Sequence, residues 1–228
     1  MSGASGTGLP AVHERIAEAC VRAGREPETV RLVAVSKTVL PERVREVVEQ
    51  GQRLFGENRV QEALPKIAAV GPGVSWHLVG SLQRNKARRA VGAFELIHAV
   101  DGAPLAEELE RRAAAAGLRQ AILLQLNLSG EATKSGAGEA GLEPLIRRIA
   151  GLPHLDLRGL MTVPPPVVRA EESRRWFARL REVRDAAAGW IGRPLPELSM
   201  GMTDDFEVAI EEGATLVRVG RAIFGERP

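Results

Sequence analysis

The stretch Arg31-Leu32-Val33-Ala34-Val35-Ser36-Lys37-Thr38 decides the reading of this chain. An aliphatic run with β-branched members, bounded by polar residues, has the make-up of a short buried strand. It delivers a lysine to the strand's C-terminal end. An ammonium at the mouth of an apolar strand is poorly solvated, which favours the neutral amine, and the neutral amine is the form that attacks an aldehyde. Lys37 taken alone is more often a side chain that snorkels to solvent from a strand end.

The same pattern recurs outward from this segment. Apolar, β-rich runs predict eight strands at 32–36, 53–55, 76–79, 96–100, 121–127, 155–161, 197–200 and 216–219. Between them lie helical stretches with start and stop signals: Pro41 opens 42–50 with Gly51 beyond, 58–70 closes on Gly71-Pro72-Gly73, and 107–116 closes on Gly117. Strands alternating with helices long enough to cross back over a sheet predict a single (β/α)8 TIM barrel of the α/β class. An extra helix over 10–23 precedes the first strand. Residues 1–8 read as a disordered lead-in and 9–228 as one barrel domain, with Pro164-Pro165-Pro166 as a stiff loop on the active face.

Composition narrows the function classes. Lys plus Arg number 31 against 29 for Asp plus Glu, so the net charge of +2 gives no global reason to bind nucleic acid or an anionic membrane. No run approaches the roughly 20 apolar residues of a membrane span, and the N-terminal residues lack the basic and apolar regions of a signal peptide. The single cysteine, Cys20, cannot form an internal disulfide, and no Cys/His spacing suits zinc. A cytoplasmic protein is expected, and no feature demands a dimer, so a monomer is expected too.

In a barrel the C-terminal strand ends converge on one face. Polar residues and glycines at those ends form a coherent set: Lys37, Glu57, Asn58, His77, Gly80, Asn127, Met161, Thr162, the cluster Ser199-Met200-Gly201-Met202-Thr203, and the cluster Arg218-Val219-Gly220-Arg221. The last two place glycine before a helix start, where exposed backbone N–H groups bind anions, and barrels often hold phosphate in the loops after strands 7 and 8. A lysine for an aldehyde across from a glycine-lined phosphate cradle points to pyridoxal 5'-phosphate (PLP). Arg218, flanked by Leu216, Val217 and Val219, alternates so that it can point inward at the cofactor. An arginine facing the pyridine nitrogen leaves a weaker electron sink than an aspartate would.

The motifs Ala34-Val-Ser-Lys37-Thr, Phe55-Gly-Glu-Asn58-Arg-Val-Gln61-Glu, Trp76-His77-Leu-Val-Gly80-Ser-Leu-Gln83-Arg-Asn85-Lys86, Lys134-Ser-Gly136, Arg158-Gly-Leu-Met161-Thr, Leu198-Ser-Met-Gly201-Met and Val217-Arg218-Val-Gly220-Arg-Ala-Ile-Phe224-Gly are similar to those of the pyridoxal phosphate homeostasis protein family. The resemblance runs from Leu32 to Gly225. It implies a single barrel like the N-terminal domain of alanine racemase and an internal aldimine on Lys37. It also implies a carrier or regulator of the vitamin B6 pool without established turnover, with apo forms of PLP-dependent enzymes as recipients. The sequence departs from the family pattern at Arg59, commonly tyrosine, and at Arg221, where a small hydroxyl residue is frequent. The second departure removes a hydroxyl contact to phosphate, leaves backbone contacts intact and offers a charge-assisted one.

Alternative readings stay open for several residues. His77 fits a core histidine as well as a cofactor-facing one, while His98 and His154 have no metal-spaced partner and read as structural. Asp204-Asp205 reads as an acidic pair at the N-terminus of a helix over 206–212. A PLP-dependent enzyme of the alanine-racemase type would need a second base, usually a tyrosine from a further domain, and the chain contains no tyrosine. The basic run Arg84-Asn-Lys86-Ala-Arg88-Arg89 lacks the aromatic residues of a single-strand-binding platform and reads as a solvated face.

Overall fold

Strand β1 (Arg31–Val35) packs on both faces, as its sequence requires. Leu32 and Ala34 join the apolar layer under the helices, whereas Val33 and Val35 join a smaller cluster inside the barrel. It is followed by β2 (Leu54–Glu57), β3 (Ser75–Leu78), β4 (Leu96–Val100), β5 (Gln120–Leu126), β6 (Leu155–Thr162), β7 (Glu197–Ser199) and β8 (Leu216–Val219). In the computed structural model, which describes residues 7–131 and 135–225, these strands pair in parallel and close into a barrel in sequence order. Closure is made by β8 on β1, from Arg31 opposite Leu216 to Ala34 opposite Val219.

The helices are α1 (Leu9–Arg22), α2 (Pro41–Glu49), α3 (Val60–Val70), α4 (Ala87–Ala90), α5 (Ala103–Ala116), α6 (Leu142–Ala150), α7 (Arg174–Ile191), α8 (Phe206–Glu211) and α9 (Arg221–Phe224). The extra helix α1 packs beside α8 and α9. Arg15 donates from Nε to Glu207 at 2.7 Å and Arg22 to Glu211 at 2.9 Å. Of the expected lead-in, residues 1–6 lie outside the described residues. Gly8 precedes α1 and donates its N–H to the Ala222 carbonyl at 2.7 Å, so it belongs to the fold.

Most expected elements lie within one or two residues of the observed ones. Strand β2 runs on through Gly56 to Glu57, where the sequence reading stops at Phe55. Glycine reads as punctuation, yet here the barrel interior requires it: a Cβ on Gly56 would stand 2.8 Å from Val33 Cγ1 and 3.3 Å from Val79 Cγ1. Helix α5 begins earlier than the expected 107, because Gly102 and Pro104 start it. Helix α3 begins at Val60 instead of Asn58, which leaves Asn58 in the loop above β2.

Candidate functional site

At the C-terminal mouth of the barrel lies a cavity of about 480 Å³. Its wall includes Lys37 after β1, Asn58 after β2, Val79 to Ser81 after β3, Gln125 on β5, Met161 on β6, Met202 to Asp204 after β7, and Arg218, Gly220 and Arg221 on and after β8. Lys37 also lines an adjoining cavity of about 490 Å³ with Leu40, Arg43 and Phe224, so its side chain stands on the partition between the two spaces.

The backbone beneath Lys37 is held from three sides. Ser36 N–H donates to the Gly56 carbonyl at 2.9 Å, its hydroxyl donates to Glu57 Oε1 at 2.8 Å, and its carbonyl accepts from Lys66 Nζ at 2.6 Å. Lys66, on α3, also pairs with Glu57. The pair is buried between strand and helix, with the Glu57 side chain 0% and the Lys66 side chain 7% exposed. On the other side of Lys37, Thr38 takes the left-handed conformation at φ 64° and donates its hydroxyl to the Lys37 carbonyl at 2.6 Å. A β-branched residue in that conformation is strained, and the turn it makes sends the chain away from the cavity at once.

Arg218 is 5% exposed and points inward. Its Nη1 donates to Ser199 Oγ at 2.6 Å and its Nη2 to the Thr162 carbonyl at 3.0 Å. Burial lowers its pKa to about 10, with the Asp205 carboxylate pulling the other way. Asp205 accepts from Met202 N–H at 2.8 Å and from the Ser173 hydroxyl at 2.9 Å, and burial pushes its carboxyl up. It thus ties the loop after β7 to the start of α7. Arg221, one of the two departures from the family pattern, pairs with Asp204 across the cavity rim. The other departure, Arg59, pairs with Glu62 on α3 at 3.0 Å.

Of the residues singled out by sequence, Lys37, Asn58, Met202, Thr203, Arg218, Gly220 and Arg221 meet on this wall. His77, Ser199, Met200 and Gly201 do not. His77 sits one layer below Val79 on the inward face of β3, since alternate residues of a strand share a face. It lines a cavity at the opposite end of the barrel with Arg31 and Glu95. Ser199 is buried beneath Arg218, and Met200 faces the helix layer. Met200 N–H donates to the Leu216 carbonyl at 3.2 Å, so this amide and that of Met202 are engaged within the protein. Gly201 is needed by the backbone itself: at φ 88°, a Cβ there would lie 2.6 Å from Ala209 Cβ and 2.8 Å from Phe206 Cα. The reading missed Gln125, although alternation from Ala121 and Leu123 places it inward at the mouth. It donates from Nε2 to the Ser135 carbonyl at 2.9 Å. Lys134 lies outside the described residues. His154 pairs with Glu110 away from the mouth, and among the described residues no cluster suited to a metal ion occurs.

Residues 9–228 match the family described as alanine racemase, N-terminal domain. A pyridoxal phosphate homeostasis protein of Aquifex aeolicus (strain VF5) is 45% identical over 220 residues, covering 96% of each chain. The protein of that name from Escherichia coli (strain K12) is 41% identical over 225 residues, covering 96% of this chain and 95% of its own. Among solved structures, PipY of Synechococcus elongatus PCC7942 with PLP bound is 40% identical with a TM-score of 0.83, covering 94% of this chain and 100% of that one. Alanine racemase from Corynebacterium glutamicum, at 20% identity and a TM-score of 0.71, covers 98% of this chain and 63% of its own, and shows the shared barrel alone. With the barrel closed, its mouth lined by lysine and arginine, and these relatives matched along their length, the chain belongs to the pyridoxal phosphate homeostasis protein family, on an alanine racemase N-terminal type of barrel.

Proposed function

We propose that this protein binds pyridoxal 5'-phosphate in the mouth cavity, covalently through Lys37, and serves to hold and release it within the cytoplasmic vitamin B6 pool. When bound, the cofactor supplies an aldehyde, which condenses with a lysine amine with loss of water, and an electron-withdrawing ring. The observation that carries the reading is the meeting of Lys37 and Arg218 on the wall of one cavity whose rim holds Thr203, Gly220 and Arg221. Those groups fit the cofactor: an amine for the aldehyde, a buried cation beside the ring nitrogen, and backbone and guanidinium donors for the phosphate. Lys37 would hold the aldehyde carbon through its Nζ. Arg218, still cationic with a pKa of about 10, would donate to the ring nitrogen and so keep a proton off it. Asn58 and Met161 line the same cavity.

The same groups speak against efficient turnover. Two-base racemisation of a bound amino acid needs an acid and a base on opposite faces. Lys37 is one such group, no tyrosine exists to be the other, and Asp204 is taken up by Arg221. In this reading the protein holds its cofactor and hands it to apo-enzymes, in place of catalysing with it. Borohydride reduction of the loaded protein, followed by peptide mapping, tests the site: the pyridoxyl label is expected on Lys37, and a label elsewhere with Lys37 unmodified overturns the assignment. Turnover of a common amino acid at about 1 per second, within the ordinary enzyme range, would overturn the carrier role.

A further inference from the structure

Arg218 heads a line of polar groups that runs down the inside of the barrel. Ser199 Oγ, which accepts from Arg218 Nη1 at 2.6 Å, lies 2.8 Å from His98 Nδ1. His98 Nε2 lies 2.9 Å from His77 Nδ1. Beyond His77, Nε2 faces Glu95 Oε1 at 4.0 Å, at the opposite end of the barrel from the cavity. Ser199, His98 and His77 are all 0% exposed, and none of them lines the mouth cavity.

The proton positions along this line follow from its head. A guanidinium only donates, so Ser199 Oγ accepts from Arg218, which leaves its own hydrogen to be given to His98 Nδ1. A neutral imidazole that accepts at Nδ1 carries its proton on Nε2. His98 Nε2–H therefore donates to His77 Nδ1, and the same rule puts the His77 proton on Nε2, directed at the Glu95 carboxylate. Burial holds both rings below the ordinary imidazole pKa, with the nearby Arg218 and Arg31 adding to the effect at His98. An extra proton on either ring would turn an acceptor into a donor facing a donor.

We infer that Ser199, His98 and His77 are positioning residues for Arg218: a one-way chain of hydrogen bonds, with both imidazoles protonated on Nε2, holds the guanidinium plane at the cavity from inside the barrel. The geometry of the chain stands by itself; its effect on cofactor rests on the PLP reading given above. With Nη1 held by Ser199 and Nη2 by the Thr162 carbonyl, the guanidinium cannot rotate without breaking one of two buried hydrogen bonds. Its remaining N–H groups would then be presented to a bound ring in one orientation.

Two measurements test this. Long-range proton–nitrogen NMR on the histidine-labelled apo-protein reads each tautomer directly, with His13→Gln and His154→Gln assigning the two remaining histidines of the chain's four. His77 and His98 are expected to show the neutral Nε2–H pattern and no titration between about pH 6 and 8. An Nδ1–H pattern or a titration near the ordinary value at either ring overturns the chain, whether or not PLP binds. Next, Ser199→Ala, Ser199→Thr and His98→Gln are loaded with PLP. Ser199→Ala and His98→Gln are expected to shift the cofactor absorbance band or its pH profile and to weaken binding about tenfold, the worth of one buried charge-assisted hydrogen bond. Ser199→Thr, which keeps the hydroxyl, is expected to restore the parent spectrum. Folded variants with the parent band, pH profile and affinity overturn the positioning role. Failure of the parent protein to bind PLP overturns the cofactor reading instead and leaves the NMR result to decide the chain, as it does if the variants fail to fold.

Discussion

At Ser36 three hydrogen bonds converge one residue before Lys37, and two of them involve the buried pair Lys66–Glu57. Removing one partner of such a pair leaves an uncompensated buried charge. Lys66→Met is therefore expected to cost roughly 3–5 kcal/mol in urea unfolding, and Lys66→Met with Glu57→Gln to recover much of that loss, because no charge is then stranded. Lys37→Ala offers the contrast. The side chain lies on a cavity wall and packs no core, so stability should move by less than about 1 kcal/mol, measured by the same unfolding curve, while the covalent absorbance band of the PLP-loaded protein disappears. At this scale the sequence was partly legible. Lys37, Arg218 and Gly220 could be found because strand ends in a barrel converge. Lys66 could not, since a lysine on an amphipathic helix is ordinarily solvated, and only the docking of α3 over β2 shows that Glu57 lies beneath it.

The loops after β7 and β8 both carry glycine before a helix, yet their glycines do different work. Gly201 has a positive φ and no room for a Cβ against Ala209 and Phe206, whereas Gly220 has an ordinary φ of −120° and a prospective Cβ 3.0 Å from the Val35 carbonyl. Gly201→Ala should destabilise the fold by about 2 kcal/mol or more through strain and overpacking, read as a drop in thermal midpoint. Gly220→Ala should leave the midpoint within a few degrees and weaken PLP binding, since its Cβ is accommodated by a slight shift of β1 against β8 at the cavity rim. Equal loss of stability in both would contradict this division. The fold was legible at the level of elements because short apolar, β-rich runs such as those of β1, β5 and β8 mark strands packed on both faces. The depth of a side chain was not. His77 on β3 and Val79 just past its end point the same way and differ by one layer, and that single layer separates the mouth of the barrel from its interior.

For the molecule as a whole, the two histidines buried in the barrel tie stability to pH. Burial lowers the pKa of both His77 and His98 in the folded state, so below the unfolded value of about 6.5 the unfolded chain takes up protons that the folded chain refuses. Their contribution is thus complete above about pH 6.5 and declines as pH falls beneath it, by up to about 1.4 kcal/mol per pH unit for each ring. Urea midpoints at about pH 7.5 and 5.5 check the sign: a midpoint that holds or rises on acidification would contradict the burial of neutral rings. The same interior polar groups bear on how the chain finds its fold. A strand that docks one residue out of step turns its inner side chains outward. Slipped in that way, β8 would carry Arg218 into the greasy space now filled by Val217 and Val219, away from the hydroxyl and carbonyl that receive its N–H groups. A stranded guanidinium costs several kcal/mol, whereas a slipped strand of aliphatic residues alone would merely exchange one greasy surface for another. The barrel's alternative threadings are thus rejected by chemistry as well as by shape, and a protein with Arg218→Leu and Ser199→Ala, though relieved of the charge buried on β8, would lose that discrimination and refold with more misdocked product.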